Sequence, residues 1–143
     1  MVSPLIIKKV LIFGFLFLKF NMSKKILFIE DEFALQRTIG ELLRKEGYEV
    51  FSSLDGKSGV EIAKKEKPDL ILLDLILPHL SGFEVLEELK KEESTKEIPV
   101  IVLTNLEGLE DVQRALELGA LFYLVKSNYT PQEIVEKVNE FFK

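Results

Sequence analysis

The chain has 143 residues, 47% of them apolar and 30% charged, enough for one globular domain with a core of its own. It has no cysteine, which excludes disulfides, thiolate metal sites and cysteine catalysis, and its one histidine, without a partner, makes no triad and no metal cluster. With 19 basic against 24 acidic residues it is mildly acidic, and nothing in that balance favours electrostatic capture of nucleic acid.

The first segment, "MVSPLIIKKVLIFGFLFLKFNM", differs from everything after it. It holds Lys8, Lys9 and Lys19 and no acid, so the 16 basic and 24 acidic residues from Ser23 onward carry a net charge of −8. Its longest uncharged apolar run, Val10 to Leu18, is too short for a bilayer, which takes about 20 residues. No small-residue cleavage site follows that run, so a signal peptide is a poor match. The only other methionine, Met22, stands immediately before "SKKILFIEDE", where globular patterning begins. Residues 1–22 therefore read as an apolar leader outside the fold, with Met22 as the biological start and residues 23–143 as the domain. A membrane-surface or partner-binding anchor is the alternative role for the leader. The domain itself is expected in the cytoplasm, without membrane contact.

From Lys25 short apolar runs alternate with helical patterns. "KILFIE" (25–30) predicts a strand, followed by a helix whose apolar stripe is Leu35, Ile39, Leu42 and Leu43, closed at Gly47. "YEVFSS" (48–53) predicts the second strand, and a faint stripe of Val60, Ile62 and Ala63 the helix near 57–67. "DLILLD" (69–74) is the third strand. Ser81 with Glu84 then matches a capping box opening a helix with Phe83, Leu86 and Leu89 on one face. "IPVIVLT" (98–104) is the fourth strand, and Leu109, Val112, Ala115 and Leu116 mark a helix that ends at Gly119. "ALFYLVK" (120–126) is the fifth strand. Thr130, Pro131 and Glu133 form a second capping box, opening a last helix with Ile134, Val138, Phe141 and Phe142. Five such units with short loops predict an α/β fold, a doubly wound parallel sheet with five helices.

In a sheet of this kind ligands sit beyond the carboxyl ends of the strands. Glu30 and Asp31 end the first strand, Asp74 the third, Thr104 the fourth and Lys126 the fifth, so all five converge on one rim. Singly each has a plainer role: Glu30 or Asp31 as a helix N-cap, Lys126 as a solvated charge, Thr104 as a strand residue. Together they form a pocket. Three neighbouring carboxylates repel one another, and a hard divalent cation such as Mg²⁺ compensates them. Lys126 adds a second cation and Thr104 a hydroxyl, enough to clamp an anionic tetrahedral group on Asp74. His79 is a solvent-facing loop residue.

"ILFIEDE", "PDLILLDLILPHLSGFEVL", "IPVIVLT" and "FYLVKS" resemble the receiver domain of bacterial two-component response regulators, over essentially all of Ser23 to Lys143. The resemblance implies sheet order 2-1-3-4-5 and Asp74 as the phosphoacceptor, served by a sensor histidine kinase or histidine phosphotransfer protein. It implies Glu30, Asp31, Asp74 and the Ile76 main-chain carbonyl as Mg²⁺ ligands, Thr104 and Lys126 as ligands of the phosphoryl oxygens, and Tyr123 as the switch aromatic. Output would pass to a target protein through the face made by the fourth helix, fifth strand and fifth helix, as in stand-alone regulators. The protein would be no enzyme beyond catalysing its own phosphoryl transfer and hydrolysis.

The chain departs from the family's pattern at three places. Glu30 replaces an aspartate, Ser127 stands where a proline in a cis bond is usual, and Asn105 replaces a small residue. An aspartate-nucleophile phosphatase of the haloacid dehalogenase type would want a second acid at position 76, which is Ile76. A flavodoxin-like FMN carrier would want a glycine- or hydroxyl-rich phosphate loop where "EDE" stands. A pseudo-receiver that binds partners without phosphorylation is the remaining alternative. Ile76 and Leu106, two residues after Asp74 and Thr104, are apolar and unable to orient a hydrolytic water, which predicts a long-lived phosphoryl group.

Overall fold

The computed structural model describes residues 3–12 and 23–143. Five parallel strands, β1 (Lys25–Ile29), β2 (Glu49–Ser53), β3 (Leu70–Leu73), β4 (Val100–Thr104) and β5 (Phe122–Val125), form one sheet of order β2-β1-β3-β4-β5. They alternate with α1 (Phe33–Lys45), α2 (Gly56–Glu66), α3 (Gly82–Lys91), α4 (Leu109–Glu117) and α5 (Pro131–Phe142). This is the doubly wound α/β fold expected of the sequence.

Residues 4–12 add a helical stretch that the expected count of five left out. Pro4 occupies its first turn and the Ser3 hydroxyl accepts from the Ile6 N–H at 3.3 Å, a helix-start pair. Its apolar side chains are exposed, and no described helix is long and apolar enough to cross a membrane. Met22 and all of the Val10–Leu18 run beyond Ile12 lie outside the described residues.

The period-2 alternation of each strand divides the core in two. Leu27 and Ile29 of β1, Ile71 and Leu73 of β3, and Val100 and Val102 of β4 pack under α2, α3 and α4. Ile26 and Phe28, Leu70 and Leu72, and Ile101 and Leu103 point the other way, under α1 and α5. The strands β1, β3 and β4 are almost wholly buried because helices cover both faces, which is why their sequences run apolar without alternation. Each fully buried Leu, Ile or Phe contributes about 1.5–3 kcal/mol, the main offset to the entropy of ordering the chain.

Helix ends follow local chemistry. Both capping boxes form: the Ser81 and Thr130 hydroxyls accept from the N–H of Glu84 and Glu133, whose carboxylates return to the cap N–H groups. Gly47 and Gly119 adopt φ of +98° and +108°, as their places after α1 and before β5 require. Asp55 caps α2, accepting from the Ser58 N–H at 2.9 Å. The α2 stripe is faint because glycines do its packing: a Cβ on Gly59 would lie 2.5 Å from the Ile29 side chain. By contrast α4 is thinly held. Only Ala115 of its nine residues is buried, and Leu109 is 80% exposed.

Register fixes what emerges at the carboxyl edge. Ile29 lies beside both Ser53 and Leu73, so Glu30 and Asp74 leave the sheet on adjacent strands, at the point where the strand order reverses. Gly82, the first residue of α3, lets the helix start against this edge. Its N–H donates to the Leu75 carbonyl at 2.9 Å, and a Cβ there would fall 2.2 Å from the Asp74 carbonyl oxygen. Gly82→Ala is expected to destabilise the fold by about 2 kcal/mol or more, since the obstructing atoms are backbone. Urea unfolding checks this; an unchanged midpoint would contradict the close approach.

Candidate functional site

Three of the carboxylates anticipated from sequence meet at this edge. Glu30, Asp31 and Asp74 each offer an oxygen within 4.8 Å of the others. Asp31 is exposed, whereas Glu30 is 0% and Asp74 3% exposed, so the cluster has one wet lip and a dry floor. Main-chain bonds hold the floor. The Glu30 N–H donates to the Ser53 carbonyl and the Asp74 N–H to the Ile29 carbonyl, both at 3.0 Å.

Neither Glu30 nor Asp31 is the N-cap of α1. Glu32 takes that position and makes no side-chain cap bond of its own. Instead Glu30 Oε2 accepts from the Glu32 N–H at 3.2 Å, turning the buried carboxylate toward the positive end of the helix. The Ile76 N–H donates to Asp74 Oδ1 at 3.1 Å, which tethers the loop after β3 to the same carboxylate. His79 is exposed in that loop, as expected, with a left-handed φ of 65°.

Lys126 is the resident cation. Its Nζ donates to Asp74 Oδ2 at 2.8 Å and lies directly against Glu30 Oε1. A solvated lysine is thus excluded, and the compensation of like charges expected of a metal is carried in part by this side chain. Glu30 Oε1 is fully buried, and the Lys126 ammonium is the group that it meets. Burial pushes the Glu30 carboxyl up to about 7, the hydrogen bond from Lys126 pulling against it and the charge of Asp74 adding to it. Burial alone would lower Lys126, yet the hydrogen bonds and charges of Asp74 and Glu30 outweigh it and raise the ammonium above its ordinary value. The bond after Lys126 is not cis, and Lys126–Asn128 form one 3₁₀ turn leading toward α5.

Thr104 ends β4 fully buried, its hydroxyl accepting from the Leu106 N–H at 3.4 Å. Tyr123 is half-buried against the α2–α4 side of the core, and its hydroxyl donates to the Leu106 carbonyl at 2.6 Å. Burial, then the charges of Asp111 and Asp74, push that phenol up to about 12. Leu106 is therefore pinned from both sides, by Thr104 through its N–H and by Tyr123 through its carbonyl. Ile76 is 53% exposed beside the carboxylates, and Asn105 is exposed at the start of the loop after β4.

Sequence reasoning missed Gln36. It is 6% exposed in the first turn of α1, and its amide nitrogen donates to the carbonyls of Ser53 at 2.7 Å, Glu30 at 3.1 Å and Phe28 at 3.4 Å. The available signal was its spacing, three residues before Ile39 and seven before Leu43 on the buried face.

The donor set suits a hard divalent cation. It supplies only oxygens, and two of the three carboxylates are withheld from water.

A family model described as "Response regulator receiver domain" matches residues 26–139. A "Probable transcriptional regulator ycf27" of Porphyridium aerugineum is 38% identical over 121 residues, 85% of this chain and 49% of that protein. The chain thus spans about half the length of several curated relatives that it matches. "Sporulation initiation phosphotransferase F" of Bacillus subtilis is 34% identical over 84% of this chain and 94% of its own length. Among solved structures, the Mn²⁺-bound form of response regulator Rcp1 superposes with a TM-score of 0.74 at 35% identity, covering 83% of this chain and 94% of that one.

The raised Glu30 carboxyl has a thermodynamic consequence. Between pH 4.5 and about 7 the folded chain holds a proton that the unfolded chain has released, so this group's contribution to stability falls as pH rises through that window and is level above it. The metal-free Glu30→Gln variant should therefore gain on wild type in thermal melts as the pH goes from 5 to 7.5. A difference independent of pH would contradict a buried, partly protonated carboxyl.

Proposed function

This chain belongs to the response regulator receiver family, and we propose that its Asp74 accepts a phosphoryl group from a sensor histidine kinase or a histidine phosphotransfer protein. The observation that carries the proposal is the pairing of Asp74 with Lys126 inside an acidic crevice at the strand-order reversal. An Asp74 oxygen attacks phosphorus in line with the donor's P–N bond. The new P–O bond forms as that bond breaks, and its electron pair leaves with the imidazole, which takes up a proton. Lys126 is already within reach of the oxygen that becomes part of the acyl phosphate, and the Thr104 hydroxyl exchanges its local contact for a phosphoryl oxygen.

Glu30, Asp31, Asp74 and the Ile76 main-chain carbonyl would hold Mg²⁺, which supplies charge neutralisation for the transferred group's oxygens when bound. A relative with bound Mn²⁺ and a donor set made of oxygens support the assignment. The modification adds about −1.5 to −2 charge beside Thr104, drawing the loop after β4 inward where Leu106 and Tyr123 are linked. The surface read by a target protein is then the α4–β5–α5 face. There Leu109, Leu116 and Phe122 are exposed, and a groove of about 310 Å³ runs between β5 and α5 beside Tyr129 and Phe141. The proposed protein acts in the cytoplasm by such contacts, with its chemistry confined to its own phosphoryl group.

Incubation with phosphoramidate and Mg²⁺ should add the mass of one phosphoryl group, and Asp74→Asn should abolish the addition while leaving the circular dichroism unchanged. Equal labelling of the variant would overturn the assignment of Asp74. Decay after removal of the donor is expected to be slow, because Ile76 and Leu106 cannot align a water opposite the Asp74 bond. The variant Ile76→Asn plus Leu106→Glu should decay faster. Equal decay would show that water positioning at these two sites does not limit the lifetime.

A further inference from the structure

The turn from β1 to α1 has to present Glu30 and Asp31 at the rim, yet it lacks the usual support. The N-cap residue Glu32 contributes no side-chain bond, and no acid stands in the first turn of α1. Support comes from beneath. The amide of Gln36 faces three carbonyl oxygens, those of Ser53, Glu30 and Phe28, at 2.7, 3.1 and 3.4 Å. A primary amide has two N–H groups to give, so both are committed to main chain at the ends of β1 and β2. The Ser53 carbonyl that receives one of them also receives the Glu30 N–H. Glu30 is thereby fastened on both sides, its N–H and the Gln36 amide meeting on one oxygen, and its carbonyl held by the same amide.

We infer that Gln36 is a positioning residue for the acid pair, setting the direction in which Glu30 and Asp31 offer their carboxylates to a divalent cation. The inference rests on the metal-dependent phosphoacceptor role proposed above. Three features of the site argue for positioning beyond helix packing. Gln36 lies 6% exposed among Ile39, Gly40 and Leu43, where an apolar residue would pack without needing any partner. The groups it meets are all acceptors, so neither an apolar nor an acidic side chain satisfies them. Being neutral, it also fixes the backbone of a metal ligand without placing a second cation beside Lys126.

The test compares Mg²⁺ affinity, by titration calorimetry, at a temperature where circular dichroism shows every variant folded. Gln36→Met keeps the length and removes the donors. It should weaken Mg²⁺ binding about tenfold, in the range seen when groups that orient metal ligands are lost. Gln36→Asn keeps the amide on a shorter stem and should fall between Met and wild type; it carries the comparison should the Met variant fail to fold. Leu43→Ala, a fully buried position on the same helix, serves as the control for simple destabilisation and should bind Mg²⁺ as wild type does. Affinities of the Gln36 variants within about twofold of wild type, or an equal loss in Leu43→Ala, would overturn the positioning role. Wild type that binds no Mg²⁺ would overturn the functional reading itself, and this inference with it.

Discussion

Burying Glu30 beside Asp74 is unfavourable unless a cation shares the space, because each desolvated charge costs several kcal/mol. Lys126 meets that requirement from the edge strand β5, reaching past the end of β4 to carboxylates on β1 and β3. The charge cluster therefore depends on the whole sheet being assembled, and the loops around the rim are arranged about it. Glu30 engages the start of α1, Asp74 engages the loop after β3, and α3 begins against the Asp74 carbonyl because Gly82 carries no side chain.

The same arrangement links the site to its surroundings by direct contact. Phe83 follows Gly82 into the core, and the Arg114 guanidinium of α4 stands 4.2 Å above its ring. Leu106, between the Thr104 hydroxyl and the Tyr123 phenol, joins the end of β4 to β5. The first contact ties the helix that starts at the Asp74 carbonyl to α4, and the second ties the loop that leads from β4 into α4 to β5.

What the sequence made legible follows from the range of the physics. Strands covered on both faces read as unbroken apolar runs, and both capping boxes are settled within four residues, so "LILL", Ser81 with Glu84, and Thr130 with Glu133 were all found. The rim acids were found because each ends such a run. Three features depended on distances that no short window contains. The α2 helix looked weak since Gly56 and Gly59 bring it close to its neighbours and leave no apolar stripe to see. The pairing of Lys126 with Glu30 joins residues nearly a hundred positions apart. The spacing of Gln36 marks the buried face of α1, but its partners are main-chain carbonyls, which are the same in every sequence and leave its role unannounced.

The shallow seat of α4 has its own bearing on how the molecule opens. Ala115 is the one buried residue of this helix, and a cation–π contact ties it to Phe83, while β1, β3 and β4 are sealed on both sides. Local unfolding free energies span from near zero to the global value, in units set by how much apolar surface each gives up. Here α4 sits at the low end of that range and the central strands at the high end. Its amides would exchange with solvent through an opening that leaves the acidic crevice and the sheet intact, so this helix can detach while the charge cluster stays in place.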